Sequence, residues 1–186
     1  MEAQILKAML MYFILPIWLI GGVADYLCHR RSSIETTSGW QESLLHLVQL
    51  TEMGIPILAL MFFEVNALTI GMMIVFVLLH EATAWWDVAY SHSRREITPT
   101  EQHVHSFLEM LPLMGLLMVA VLHWGQFLAL IGLGSEPARF DVTWKSDPLP
   151  AAYIVTALTA VLLFEVLPYV EELIRGLRAS RSKRAR

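Results

Sequence analysis

The sequence predicts an all-α integral membrane protein of five transmembrane helices, and three observations predict it. Hydrophobic residues make up 56% of the 186 positions and charged residues only 16%, which an ordinary soluble domain does not show. The apolar residues fall into five blocks, each about as long as the roughly 20 residues that a bilayer core demands of a helix. Ten of the thirteen Lys and Arg residues stand at three places, Arg30-Arg31, Arg94-Arg95 and the tail from Arg175 to Arg186, each directly after an apolar run.

Because lipid offers no partner for a free backbone N–H or C=O, every block is expected to be helical. The first block, Ile5 to Val23, follows Glu2 and a single Lys7 and lacks a small-residue cleavage pattern, so it reads as a retained span over about residues 5–28. Leu44 to Phe63 defines a second span, about 40–63, with Ser38 expected to cap it through Gln41. Leu68 to Ala89 gives a third, about 67–91. Phe107 to Leu133 gives a fourth, about 100–133, whose Thr98-Pro99-Thr100-Glu101 start combines a cap, a first-turn proline and a capping box. Leu149 to Val170 gives a fifth, about 149–173, followed by a basic tail over 174–186. The whole chain, 1–186, is one transmembrane domain.

Positive loops stay cytoplasmic, so the basic residues place the N-terminus outside and the C-terminus inside, with spans 1 and 2, and spans 3 and 4, joined on the inner face. The outer segment Gly134 to Pro148, with mixed charges, reads as a surface connection without chemistry. The two inner connections echo each other. Asp25, His29, Arg30, Arg31, Glu35, Glu42 and His46 are followed in the second half by Asp87, His92, Arg94, Arg95, Glu96, Glu101 and His105. The echo predicts two pseudo-repeated helical hairpins, spans 1-2 and 3-4, plus a fifth helix. The net charge of -4, with cations gathered at membrane edges, gives no reason to expect nucleic acid binding, and Cys28 as the only cysteine excludes an intramolecular disulfide and Cys-rich metal sites.

Glu42 and His46, Glu101 and His105, and Asp25 and His29 each stand at i and i+4, which puts a carboxylate and an imidazole on one helix face about 6 Å apart along the axis. With Asp87 and His92 they form the candidate metal set: Asp25, His29, Glu42, His46, Asp87, His92, Glu101 and His105. His103 points away from His105 and is left outside it. Oxygen and nitrogen ligands from four helices are what a dinuclear carboxylate site requires, with iron first and zinc or manganese next. Glu52, His80, Glu81 and Glu109 lie roughly 12 to 15 Å from the inner helix ends, where an unpaired charge costs at least ~2.5 kcal/mol, and are the candidate catalytic residues. Glu165 on the fifth span joins them or faces a water-filled cleft. Each group also has a plainer account: Glu101 as a helix cap, Asp87 as part of a Trp85-Trp86 interfacial belt, the deep groups as a hydrogen-bonded cluster.

The pattern is similar in kind to carboxylate and histidine di-iron proteins, although those use Glu-x-x-His and both copies here are Glu-x-x-x-His. The segments D-Y-L-C-H-R-R, E-S-L-L-H-L and E-Q-H-V-H-S-F-L-E resemble an uncharacterised family of small bacterial inner-membrane proteins, a resemblance that implies location but no activity. The leading expectation is a membrane-embedded oxidoreductase with a di-iron-like centre, acting near the cytoplasmic face on an apolar partner such as a lipid or quinone. The alternatives are a zinc-dependent hydrolase, a proton or metal-ion transporter, and a non-catalytic subunit of a membrane complex.

Overall fold

The computed structural model describes residues 1–185 and is helical wherever the apolar blocks predict helix. Five helices are long and apolar enough to cross a membrane: α1 (Glu2–Ser32), α2 (Trp40–Phe62), α3 (Ala67–His92), α4 (Pro99–Leu122) and α6 (Ala151–Lys183), with a short α5 (Trp124–Leu130) after the fourth. The protein is an all-α, multi-pass membrane protein. The end that carries Arg30, Arg31, Arg94 and Arg95 is called the basic end below.

Prolines shape these helices. In α1 a π turn, Leu10–Ile14, precedes Pro16, and in α6 a π turn, Leu162–Val166, precedes Pro168. A proline has no N–H and its ring meets the carbonyl four residues back, so the turn before it widens. Pro56 in α2 and Pro112 in α4 likewise leave the carbonyls of Glu52 and Leu108 without a helical donor.

The spans form a ring. α1 packs against α4, α4 against α3, α3 against α2, and α2 against the basic-end half of α6, whose π turn returns to α1. The first expected hairpin therefore does not close on itself: α6 is inserted where spans 1 and 2 would meet. Two close approaches fix it there. Gly22 of α1 lies beneath the Glu165 carboxylate, and Gly176 of α6 faces the Trp40 backbone, where a Cβ would fall 2.9 Å from Trp40 Cα. Gly176→Ala is expected to force the α2–α6 seam apart and to cost about 1 to 3 kcal/mol, read as a lower Tm in detergent.

Three boundaries differ from the sequence expectation. The fourth span ends at Leu122 rather than near 133, because its 24 residues already reach about 36 Å. The chain turns at His123 into α5, whose Gln126 accepts from the N–H groups of Ala67 (3.3 Å) and Arg139 (3.0 Å) and donates to Pro137 O (3.2 Å). Most of the basic tail continues α6 as helix, held to the α1–α2 connection by the Arg175–Glu35 ion pair and by Lys183 Nζ on Thr36 O (3.0 Å). Ser38 does not cap α2: Gly39, at φ 87°, precedes the helix, and Ser38 instead offers its carbonyl to the Tyr90 hydroxyl at 3.0 Å. The expected capping box at α4 is half formed. Thr98 Oγ1 accepts from Glu101 N (3.2 Å), but the Glu101 side chain turns to Arg95.

The 134–148 segment is ordered over the opposite end, with Glu64 N donating to Thr143 O (2.8 Å) and Lys145 N to Phe62 O (2.9 Å). Beneath it Met53, Ile70, Met73, Val77, Leu116 and Val119 form an apolar core. The bundle thus has an apolar half and, toward the basic end, a polar half.

Candidate metal centre

The polar half is organised by a residue outside the sequence-derived set. Glu172, with no exposed surface, projects from α6 between α1 and α2, and its two oxygens take separate imidazoles: His29 Nδ1 at 3.1 Å and His46 Nδ1 at 2.8 Å. A carboxylate only accepts, so both Nδ1 atoms carry the proton, and in the neutral rings each Nε2 presents a lone pair. The rings of His29 and His46 are stacked, 4.2 Å between centroids and 7° from parallel. Neither Nε2 has a hydrogen-bond partner.

Carboxylates lie close beside those nitrogens, off the direction of each lone pair. His29 Nε2 is 3.4 Å from Asp25 Oδ1, and His46 Nε2 is 3.2 Å from Asp87 Oδ2, both out of line for N–H donation. From α4, His105 Nε2 comes within 2.9 Å of the same Asp25 Oδ1, which also has no well-aligned donor. The donor atoms of Asp25, His29 and His105 all lie within 4.8 Å of one another, as do those of His29, Glu42 and His46. Neighbouring side chains fix these carboxylates. Gln49 Nε2 donates to Asp87 Oδ2 (3.2 Å), the oxygen that also faces His46, and the Tyr169 hydroxyl lies within reach of both Asp25 Oδ2 (3.2 Å), the oxygen turned away from the histidines, and Gly22 O (3.1 Å).

Glu42 and Glu101 are differently held. Arg95, from the α3–α4 connection, lies between them, with Nη2 2.5 Å from Glu42 Oε1, Nη1 3.0 Å from Glu101 Oε2, and Nη2 also on Glu101 Oε1. Burial opposes the charge of this guanidinium, but hydrogen bonds to Glu101 and Glu42 and their charges hold its pKa above the ordinary value. From the sequence Arg95 reads as a topology determinant and phosphate anchor that could also guide an anionic lipid. Its role here is to hold two buried carboxylates in fixed positions.

Of the eight candidate ligands, seven converge: Asp25, His29, Glu42, His46, Asp87, Glu101 and His105 are all buried in the one cluster. His92 does not join them. It is exposed at the end of α3, because the five-residue step from Asp87 rotates it off the face that the four-residue steps share. The candidate catalytic residues divide. Glu52 and His80 face each other between α2 and α3, at 4.0 Å, with Thr83 Oγ1 donating to Glu52 (2.9 Å). The His80 ring lies against the Leu108 carbonyl freed by Pro112, yet neither of its nitrogens has a well-aligned partner. Glu81 is exposed and Glu109 partly exposed on the outer surface of α3 and α4, away from the cluster. Glu165 is buried beside it, on the π turn over Gly22. Glu172 gave no signal of its own in the sequence, since Glu171-Glu172 reads as the charged end of a span.

Charge decides what the cluster can accept. Asp25, Glu42, Asp87, Glu101 and Glu172 are five buried carboxylates that face one guanidinium and the imidazoles of His29, His46 and His105, so protonated histidines or bound cations must balance them in a low-dielectric site. Compared with protein-family models, curated proteins and solved structures, the chain matches none, so the reading of this centre rests on its own residues.

Proposed function

We propose that this protein is a membrane-embedded metalloprotein with a dinuclear carboxylate and histidine centre, and that the centre supports oxidation of an apolar, lipid-like or quinone-like substrate. The observation that carries the reading is the pair His29 and His46. Their rings are stacked with centroids 4.2 Å apart, each held from behind by one oxygen of Glu172, so two imidazoles stand side by side among the carboxylates, the kind of ligand set a two-metal site needs. Asp25 and His105 complete the position at His29, and Asp87 completes the one at His46, with Glu42 and Glu101 at the flank. Glu172 orients both imidazoles as outer carboxylates do at metal-bound histidines. Divalent ions bound there would balance the carboxylates in place of protons on the imidazoles.

The carboxylate-rich ligand set favours iron, and manganese suits it next. Bound there, the ions would supply Lewis-acid and redox chemistry. The chain's own groups would hold them, keep them dry and, through Glu52 and His80 one to two turns deeper, border the apolar interior. By the positive-inside rule the basic end is cytoplasmic, with the N-terminus outside, as in a bacterial inner membrane.

Elemental mass spectrometry of the detergent-purified protein, grown without chelator, tests the reading. Two irons per chain are expected. One zinc would replace oxidation with hydrolysis at the same groups, and no stoichiometric metal after reconstitution would overturn the centre.

A transport function has less support. Beyond Glu52 and His80, the path to the opposite end runs between apolar walls.

A further inference from the structure

The apolar half contains a cavity of about 610 Å³ that the metal reading does not use. Its floor is Met53, Val77 and Leu111, and its wall includes Trp18, Leu116 and Val119. From Leu111 to His123 along α4 is about 18 Å, so the space is long as well as wide. It exists because α6 holds to α2 only toward the basic end. In the other half of α6, Ala157 alone of Ala151–Val161 is buried, and Tyr153 ties the helix to α1 through Met11 O (3.2 Å) and an edge contact with Tyr12.

The mouth is not apolar. Lys7 from α1, His123 from the end of α4 and Lys145 from the ordered loop all line it, and Asp147 is the acid among the lining residues. Burial holds Lys145 below its ordinary pKa, and burial together with Lys145 and Lys7 holds His123 below its own. An anion placed at this point would relieve both.

We propose that the cavity binds a single-chain amphiphile with an anionic head, of the fatty-acid class, its carboxylate between Lys7 and Lys145 and its hydrocarbon chain running inward to Met53 and Leu111. The size lies in the range of one small-ligand site, and the charge at the mouth selects the head. One chain fits the lining: a continuous apolar tube with polar groups at one end only. The chain's far end stops at the layer of Glu52 and His80. The proposal concerns binding and stands independently of whether the cluster holds metal.

Equilibrium binding of radiolabelled oleate to the full chain, delipidated in a neutral maltoside detergent, tests it. Oleyl alcohol and dioleoyl phosphatidylglycerol serve as competitors. One oleate per chain is expected, bound at least about tenfold more tightly than the alcohol and not displaced by the phospholipid at equal concentration. The double variant K7A/K145A should bind oleate only as well as the alcohol. Gly115 lines the cavity and a Cβ there meets nothing within 4 Å, so G115F should fill the space and lose both ligands while keeping its helical circular dichroism. Equal affinity for oleate and alcohol in the native chain, preference for the phospholipid, or undiminished binding to folded G115F would each overturn the proposal.

Discussion

Replacing either stacked histidine, His29→Ala or His46→Ala, is expected to reduce the metal content from about two ions per chain to one or none while leaving the helices intact. Each variant removes from its position the imidazole nitrogen that Glu172 orients. The outer carboxylate offers a sharper comparison. In Glu172→Gln the amide oxygen can accept a hydrogen bond from one Nδ1–H but the amide presents an N–H₂ to the other, so one imidazole must turn or change tautomer. Metal affinity should fall about 10- to 100-fold, and a titration with Fe(II) or Zn(II) under anaerobic conditions would read it. Full occupancy in both histidine variants would remove them from the ligand set.

Arg95→Ala should have the largest effect on stability. The guanidinium is the cation on two carboxylates that are each about 1% exposed, and removing one member of a buried ion pair typically costs about 3 to 5 kcal/mol. Thermal unfolding in detergent should show a Tm lower by several degrees or more. The triple variant R95A/E42Q/E101Q should recover most of that loss, since it removes the stranded charges along with their partner. An unrecovered triple variant would mean that Arg95 acts by packing rather than by charge. Metal content separates two roles for Glu42 and Glu101: if they only anchor Arg95, the triple variant keeps its ions.

The sequence was most legible where a local rule applies. Length and hydropathy defined the spans because the bilayer imposes both, and the four-residue spacing of Asp25 with His29, Glu42 with His46 and Glu101 with His105 survived intact because it is a property of a single helix. What depended on how helices meet was not legible. Glu172 could not be identified, since its importance comes from α6 entering between α1 and α2. Arg95 was read by its distance from the membrane rather than by its neighbours. Ser38 fitted a capping pattern, but Gly39 takes a backbone angle that moves the helix start beyond it. His92 shows the limit of inference from an echo: one extra residue after Asp87 was enough to turn it outward.

The insertion of α6 between α1 and α2 also sets an order of assembly. Glu165, Tyr169 and Glu172 are all contributed by a span synthesised after the other four, so those four helices can enter the bilayer with the Nδ1 atoms of His29 and His46 still lacking their shared carboxylate. The cluster is therefore finished only when α6 arrives. Until then its imidazoles are free to rotate, and a nascent chain lacking the fifth helix is expected to capture metal weakly and without preference.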